Sequence, residues 1–258
     1  MSDELMYEVD DDGILTITLN RPGVLNALSG QLKVDLRRAF AQAQSDSGVR
    51  AVLLRGAGER AFSAGQDLGE SVEFHTAEQA ADWIEEHHLL YSELRGFSKP
   101  FVAAIDGYCV GAGWQVALLA DVRFCSEHAL FIMTEISVGI PCITGSGLLW
   151  PIVGAAKTAE IVLSGRRYSA QEAERLGLVT AVFAREHLYE EARFQAKKMA
   201  DFPTKPFAST KTWLTMLTQS IYEQSMHYAM RGHGEAYESG VPQEKMKRFT
   251  RGGTQGGR

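Results

Sequence analysis

Short runs of apolar residues in the first half of the chain predict β-strands. Residues 14–20 alternate apolar and polar positions and then meet a Pro-Gly turn, which is the pattern of a strand that ends in a turn. The short apolar runs at 49–54, which Arg50 interrupts, and at 101–105 are each followed two residues later by glycine, and both have the length of a buried strand. Residues 121–125, DVRFC, predict a further strand.

Helical spacing of apolar residues appears between these strands and dominates toward the C-terminus. Leu32, Leu36 and Phe40 recur at helical spacing after Ser29, which predicts a helix with Ser29 as its N-cap. Residues 76–96 form a longer amphipathic pattern, and no low-complexity linker divides the chain. The pattern therefore favours one α/β domain with a helical C-terminal extension. Further helices are predicted at 155–163, 170–176, 186–201 and 206–230.

The composition is that of an ordinary globular protein. Apolar residues make up 45% of the 258-residue chain and charged residues 22%, which excludes a disordered or fibrous chain. The 26 basic and 32 acidic side chains leave a net charge of −6, which argues against nucleic acid as the main partner. No apolar run approaches the length of a membrane span, and the acidic N-terminus lacks an apolar segment, so we expect no membrane helix and no targeting peptide.

The cysteine pattern points away from disulfides and zinc. The chain has three cysteines, Cys109, Cys125 and Cys142, and none of them forms a CxxC pair. This spacing matches neither a disulfide framework nor a zinc signature. Cysteines without such a pattern are typical of proteins in a reducing compartment. We therefore expect a cytoplasmic protein.

Two glycine-containing turns are the first candidates for chemistry. FSAGQDL covers residues 62–68 and GYCVGAGWQ covers residues 107–115, and each follows a predicted buried strand or its turn. Glycine lets a backbone approach a ligand closely, and a helix that follows presents unpaired N–H groups to that ligand. Two such turns that converge would hold an oxyanion with two backbone N–H donors. A glycine turn by itself is more often only a turn.

Five collinear segments connect the chain to a known family. They are LNRPGVLNAL (19–28), AFSAGQDL (61–68), IDGYCVGAGWQVALLADVRF (105–124), FIMTEISVGIP (131–141) and SGRRYSAQEAERLGLVTAVF (164–183). Together they resemble the signature segments of the crotonase superfamily, which is the enoyl-CoA hydratase/isomerase family. Their order and spacing are retained from about residue 5 to about residue 215, so the resemblance covers most of the chain.

The resemblance implies a fold and an assembly. The expected α/β fold is a crotonase-type spiral of ββα units with two roughly perpendicular sheets and a helical C-terminal region. The spiral core would consist of residues 1–200. Residues 201–250 would form a helical region that mediates trimerisation and covers the site, and residues 251–258 a disordered tail. Family members form homotrimers or dimers of trimers. They bind an acyl-CoA thioester, so coenzyme A would arrive as part of the substrate, and neither a metal nor another cofactor is expected.

The resemblance also implies an oxyanion hole in the two glycine turns. Its donors would be the backbone N–H groups of Gln66 and Ala112, which would hold the thioester oxygen and the enolate formed from it. Preorganised donors and the dipole of the following helix suit a developing negative charge. Only the backbone would act, so the unusual side chains at these two positions are compatible with the role. The neighbouring residues expected to contact the acyl-CoA are Ala64, Asp67, Leu68 and Gly111.

The acid and base groups distinguish between reactions of the family. Hydratases of the family use two glutamates 20 positions apart, and the matching residues here are Gln115 and Glu135. An amide neither takes nor gives a proton at neutral pH, so proton transfer would fall to Glu135 alone. Moving a double bond needs only one base, whereas hydration shares its work between two carboxylates. The sequence thus favours an isomerase, with the apolar neighbours of Glu135 raising its pKa toward the working range.

Two other functions remain open at this point. One is hydration, with Gln115 merely positioning a water molecule. The other is a non-catalytic acyl-CoA-binding protein of the same fold; a nucleic-acid-binding member is disfavoured by the net charge of −6. A C-terminal set of basic residues would either meet the coenzyme A phosphates or form a solvated face. These residues are Lys211, Lys245, Lys247 and Arg248.

Overall fold

The computed structural model describes the backbone of residues 2–252 and the side chains of residues 2–248. The strands are β1 (Leu5–Val9), β2 (Ile14–Leu19), β3 (Ala51–Gly56), β4 (Ala61–Ser63), β5 (Phe101–Ile105), β6 (Tyr108–Val110), β7 (Val122–Ser126), β8 (Leu130–Ile132), β9 (Tyr168–Ser169) and β10 (Ala181–Phe183). The helices are α1 (Gly30–Ser45), α2 (Leu68–Ser71), α3 (Ala77–Gly96), α4 (Ala112–Leu118), α5 (Ile143–Ser164), α6 (Ala170–Arg175), α7 (Arg185–Ala200), α8 (Thr204–Leu217), α9 (Gln219–Glu238) and α10 (Val241–Gly252). Two 3₁₀ turns cover Pro22–Val24 and Glu135–Val138.

The strands form two sheets, and the chain alternates between them. The larger sheet has the order β1-β2-β3-β5-β7-β10, in which β1 is antiparallel to β2 and the other pairs are parallel. The smaller sheet has the order β4-β6-β8-β9 and is parallel except at β9. The pairs β3–β4, β5–β6 and β7–β8 each give one strand to each sheet. This alternation is the spiral of ββα units that the resemblance implies.

Helices cover both faces of the larger sheet. On β3, Val52 and Leu54 point into the main core, which α1, α3, α4, α5 and α9 also line. Leu53 points to the opposite face, where Leu188 and Ala192 of α7 pack against it. Because successive side chains of a strand face opposite ways, a strand covered on both sides carries a continuous apolar run. This explains why β3 shows no alternation in the sequence.

Local signals start the helices near the site at the predicted places. The Ser29 hydroxyl accepts a hydrogen bond of 3.0 Å from the Leu32 N–H and caps α1, as predicted. Thr76 and Gln79 form a capping box at the start of α3. The three-residue strands β4, β6 and β8 were not predicted as such, because so short a strand has no periodicity to detect.

Helix α5 is longer than predicted. It begins at Ile143 rather than at residue 155, and it is broken at Gly154, whose φ is 72°. By length and apolar composition, α5 is the one described helix that could span a membrane. Its first half instead packs into the protein: Leu148 and Leu149 are buried, and the helix contacts α4 and α9. We therefore assign α5 to the core of the fold.

The C-terminal helices differ from prediction in one respect. The single helix expected over 206–230 is two, α8 and α9, because Thr218 leaves the helical region with φ −108° and ψ 1°. The Thr218 hydroxyl accepts a hydrogen bond of 3.1 Å from Arg95 of α3, which ties the bend to the core. Helix α10 continues to Gly252. The remainder of the tail expected to be disordered, from 253 onward, lies outside the described residues.

Candidate active site

A cavity of about 430 Å³ lies where the two glycine turns meet. The turn after β4 and the start of α4 form one side of its wall, and the 3₁₀ turn that begins at Glu135 contributes another. Helix α3 adds Trp83 and His87, and α9 adds His233. The cavity therefore gathers residues from seven separate parts of the chain, including both candidate turns and the candidate base.

Glycine is required at the contact between the two turns. Gly65 has φ +88°, and a Cβ there would lie 2.6 Å from the Val110 carbonyl oxygen and 3.3 Å from the Ala112 nitrogen. Gly111 also has a positive φ, +49°, immediately before α4. A side chain at either position would strain the backbone, and at Gly65 it would also push the turns apart. The glycines thus let the two turns touch, as the sequence predicts.

The contact brings the two predicted backbone donors to one cavity. Gln66 and Ala112 both line it, and Ala112 is the first residue of α4. Neither backbone N–H donates to another group within the described part of the chain. For Ala112 this follows from its position, because the first N–H groups of a helix have no partner inside the helix. Two free N–H groups and a helix N-terminus are the components of an anion site.

Most of the residues predicted to flank these donors also line the cavity, but one does not. Ala64, Leu68 and Gly111 contribute to the wall. Asp67 does not: its carboxylate accepts from the Gly69 N–H at 3.0 Å and pairs with Arg21 at 2.8 Å. Asp67 therefore caps α2 and fixes the turn from behind, and the prediction that it contacts the ligand directly finds no support in its position.

Glu135 is a buried carboxylate at the wall of the cavity. Its side chain is only 7% exposed, and burial raises the pKa of its carboxyl. Oε1 accepts a hydrogen bond of 2.7 Å from Nε2 of Gln115, whereas Oε2 is buried without a hydrogen-bond partner among residues 2–248. Hydrogen bonds from Gln115 and from the Cys142 thiol lower the pKa and offset part of the effect of burial. A buried carboxylate with a raised pKa at the wall of a cavity can act as a proton acceptor.

Gln115 is held in a defined orientation. Its carbonyl oxygen Oε1 accepts from the Tyr91 hydroxyl at 3.2 Å and from the Thr144 hydroxyl at 2.7 Å. Its amide nitrogen donates to Glu135, so the 20-residue spacing noted in the sequence does bring Gln115 and Glu135 into contact. All four side chains are buried. An amide in this position supports a carboxylate but transfers no proton.

Two neutral histidines and a tryptophan line the far end of the cavity. Nδ1 of His87 lies 2.8 Å from the Trp83 carbonyl oxygen, and Nδ1 of His233 lies 2.8 Å from the Ala229 carbonyl oxygen. Burial lowers the pKa of His233 to about 4 and the pKa of His87 well below its usual value, so both rings are neutral at pH 7. With Nδ1 as the donor, Nε2 of each ring is an acceptor.

The described residues suggest few other ways to hold a charged ligand. Among residues 2–248, no cluster of His, Cys, Asp and Glu side chains has the arrangement of a metal site. Of the basic C-terminal set, Lys211 is buried and pairs with Asp121 at 2.8 Å, so it belongs to the core. Lys245, Lys247 and Arg248 lie on the exposed side of α10.

Sequence reasoning missed His233, Thr144 and Arg167 among the cavity residues. None of them belongs to a glycine turn, and each reaches the cavity only because a distant helix or loop folds over it. A histidine in the amphipathic pattern of a C-terminal helix carries no local signal of a cavity. These positions follow from the tertiary structure alone.

Comparison with known proteins agrees with this geometry. The sequence model of the family "Enoyl-CoA hydratase/isomerase" matches residues 10–251. A carboxymethylproline synthase of Pectobacterium carotovorum is 32% identical over 91% of this chain and 94% of its own length. A probable enoyl-CoA hydratase of Rhizobium meliloti is 38% identical over 78% of this chain and 77% of its own. The crystal structure of an enoyl-CoA hydratase/isomerase from Mycobacterium paratuberculosis superposes with a TM-score of 0.88 at 30% identity, covering 96% of this chain and 99% of that one.

Proposed function

Because the chain belongs to the enoyl-CoA hydratase/isomerase family and is an enzyme that acts on acyl-CoA, we propose that it forms an enolate with one carboxylate base, Glu135. The observation that carries the proposal is the contact between Gln115 and Glu135. Where a second carboxylate would assist hydration, this chain has an amide whose oxygen already accepts two hydrogen bonds. One base that both removes and returns a proton suits double-bond isomerisation.

The proposed reaction needs no group beyond those at the cavity. The Glu135 carboxylate takes a proton from the carbon next to the thioester, and the electron pair moves onto the thioester oxygen. The backbone N–H groups of Gln66 and Ala112 stabilise that oxygen. The protonated Glu135 then returns the proton to the far carbon of the conjugated system, which shifts the double bond by one position. Glu135 ends the cycle as it began, ionised.

The test of this proposal uses a 2-enoyl-CoA and a 3-enoyl-CoA, each incubated with the enzyme in ¹⁸O-labelled water and followed by mass spectrometry. We expect the two thioesters to interconvert without gain of label. Gain of one labelled water would establish hydration instead, with Gln115 positioning the water. If neither change occurs over a range of acyl chains, while the protein still binds the thioesters, the non-catalytic binding protein becomes the better account.

A second candidate is capture of the enolate by a carbon electrophile. Two observations favour it: the relative that is named a carboxymethylproline synthase aligns over 91% of this chain, and the wall of the cavity includes His87, Trp83 and His233 as well as Glu135. A carbon nucleophile could add to the C=N carbon of a cyclic imine, whose electron pair would move to nitrogen and take a proton. The proton is the one that Glu135 removed from the acyl group, and the neutral histidines would offer acceptors to the N–H that forms on the ring nitrogen.

A mass-spectrometric assay with two substrates separates carbon–carbon bond formation from isomerisation. A two-carbon acyl-CoA is incubated with a pyrroline carboxylic acid, and the products are examined for an adduct with the summed mass, or for its hydrolysed acid. An adduct that forms at a rate exceeding any interconversion of enoyl thioesters would make carbon–carbon bond formation the main activity. Absence of the adduct alongside interconversion would leave isomerisation.

We also propose a homotrimer or a dimer of trimers, held together through the C-terminal helices. Helix α8 exposes Trp213, Met216 and Leu217 at helical spacing, with 57%, 62% and 61% of each residue accessible. A row of large apolar side chains on one helix face is typical of an interface. Helix α10 packs against the 3₁₀ turn of Glu135, since Pro242 is 3.1 Å from the place where a Cβ of Gly139 would be.

Light scattering during size-exclusion chromatography tests the assembly. We expect a mass of about three or six times the 28.4 kDa of one chain. Met216→Arg would place a charge in the apolar row and is expected to shift the mass toward that of one chain, since an unpaired charge in an apolar interface is costly. Val9→Arg, at an exposed apolar residue of the edge strand β1, is the matched control. A wild-type mass of 28.4 kDa would contradict the proposal.

A cytoplasmic location is also proposed. Cys109, Cys125 and Cys142 are all free thiols and all buried. Free cysteines without a disulfide are typical of a reducing compartment, and the family's substrates are intracellular thioesters.

A further inference from the structure

We propose that Tyr91 and Thr144 are positioning residues, which together hold the Gln115 amide in the orientation that donates to Glu135. This inference rests on the proposed role of Glu135 as the base. It assigns a function to two hydroxyl groups that lie on separate helices, α3 and α5, far from both glycine turns in sequence. Neither hydroxyl touches the reacting atoms, so both would act through Gln115.

The geometry gives the amide one favourable orientation. The hydroxyls of Tyr91 and Thr144 both donate to Oε1 of Gln115, and neither has another acceptor among the described residues. If the amide turned over, its oxygen would face the Glu135 carboxylate across 2.7 Å, and both hydroxyl hydrogens would lose their acceptor. Each of these losses is expensive, because burial excludes the solvent that would otherwise replace the hydrogen bonds. We call these two hydroxyl groups the clamp.

The clamp matters because the orientation of an unclamped amide could change with the protonation state of Glu135. Facing a protonated carboxyl, a free amide can turn its oxygen toward the acid hydrogen and so favour the neutral form. Facing a carboxylate, it donates. The clamp disfavours the first choice, because turning the amide over would leave both hydroxyl hydrogens without an acceptor among the described residues. Gln115 therefore donates and favours the ionised form, which is the form that a base needs.

Backbone N–H groups of the turn and the Cys142 thiol also lower the pKa of Glu135, and neither depends on the clamp. The titratable groups around Glu135 are neutral or exposed to solvent. Tyr91 of α3 and Cys142 before α5 face the carboxylate as neutral groups, because burial raises the pKa of both. His87 and His233 in the cavity wall are neutral as well, and Arg167 is exposed at the wall. Helix α10 packs on the 3₁₀ turn of Glu135, and its charged side chains there are exposed to solvent. They are Glu244, Lys245, Lys247 and Arg248.

The consequence for Glu135 has a definite sign. Burial raises its pKa, and the hydrogen bond from Gln115 lowers it. When the clamp is lost, the second effect weakens and the first remains, so the pKa of Glu135 rises. A base with a higher pKa is ionised only at higher pH, and the pH dependence of kcat shifts in the alkaline direction.

The test compares Tyr91→Phe, Thr144→Val and the double variant with two matched controls. Thr158→Val removes a buried hydroxyl of the same helix α5 that has no hydrogen-bond partner among the described residues. Tyr168→Phe removes a tyrosine hydroxyl that contacts Glu160, away from the base. Two quantities are measured: the titration of the Glu135 carboxyl carbon by ¹³C NMR, assigned with Glu135→Gln, and kcat against pH.

We expect the double variant to titrate at a pH higher by about one unit, since a hydrogen bond to a charged group has about that effect. At pH values below the titration of Glu135 its kcat would fall by about tenfold, and kcat would recover at alkaline pH. The two controls would match the wild type in both measurements. Melting temperatures identify any variant that has lost its fold, and the single variants then carry the comparison.

Two results would overturn the clamp: an unchanged titration of Glu135 in the double variant, or a loss of kcat that is equal at every pH. The NMR titration needs no substrate, so it separates this proposal from the proposed function. A shifted titration in a protein that turns over no thioester would support the clamp and refute the role of Glu135 as a base.

Discussion

Replacing Glu135 with glutamine is expected to lower kcat by about 10²-fold or more, with little change in the affinity for the acyl-CoA. General acid–base catalysis contributes about that much, and no second carboxylate lies at the Gln115 position to take over. The change preserves shape, and a glutamine oxygen can still accept the hydrogen bond from Gln115. Binding would persist because the backbone N–H groups of the two glycine turns are unchanged. Steady-state turnover assays measure kcat, and calorimetry measures the Kd for the acyl-CoA.

Stability provides the control for that variant. Burial raises the pKa of Glu135 in the folded protein. The carboxyl therefore favours the folded state most below its ordinary pKa, and this contribution is lost as the pH rises through the raised value. At neutral pH, Glu135→Gln should melt no lower than the wild type, and the two curves should approach each other toward acid pH. Glu127→Gln, at a surface carboxylate beside His128, should leave kcat unchanged. Equal activity of wild type and Glu135→Gln would contradict the proposed base.

Removing one backbone donor is the second change with a large expected effect. Ala112→Pro deletes the N–H of Ala112 and should lower kcat by about 10²- to 10³-fold, the usual cost of losing one donor to an oxyanion. Proline is well tolerated there because Ala112 is the first residue of α4, and the preceding Gly111 has φ 49° and ψ −123°, outside the helical region. The fold should therefore survive.

Ala112→Ser is the matched control for the proline variant. Serine keeps the N–H and adds a single oxygen at a residue that is 8% exposed, so its kcat should remain within a few-fold of the wild type. Circular dichroism and melting temperature would establish that both variants fold. If proline and serine at position 112 gave the same kcat, the Ala112 N–H would have no part in stabilising the transition state.

The amino-acid sequence carries enough information to predict the two turns and the base, for physical reasons. Gly65 and Gly111 are required by backbone conformation, so their positions are visible as glycines in the sequence. Gln115 lies in the second glycine turn and Glu135 lies 20 residues later. The fold places Nε2 of Gln115 2.7 Å from Oε1 of Glu135. The glycine turns can therefore be predicted from the residues themselves, whereas the pairing of Gln115 with Glu135 follows from the resemblance to the family.

The clamp and the cavity residues that α3 and α9 contribute could not be predicted from the sequence. Tyr91, Thr144 and His233 lie on helices that pack around the site from distant parts of the chain, and each has the pattern of an ordinary helix residue. Asp67 shows the same dependence on tertiary structure: its place in a signature segment predicts ligand contact, while its carboxylate binds Arg21 and the Gly69 N–H. Side-chain direction decides such roles, and a linear sequence does not contain it.

The central claim is that Glu135 alone removes the proton next to the thioester, and isotope loss tests it most directly. An acyl-CoA dideuterated at carbon 2 is incubated in ordinary water with the wild type or with Glu135→Gln, and deuterium at each carbon is followed by mass spectrometry and NMR. We expect deuterium to leave carbon 2 with the wild type, part of it appearing at carbon 4 of an unsaturated substrate, and to stay in place with the variant. Deuterium that stays at carbon 2 with both proteins, or leaves it equally fast with both, would contradict the account.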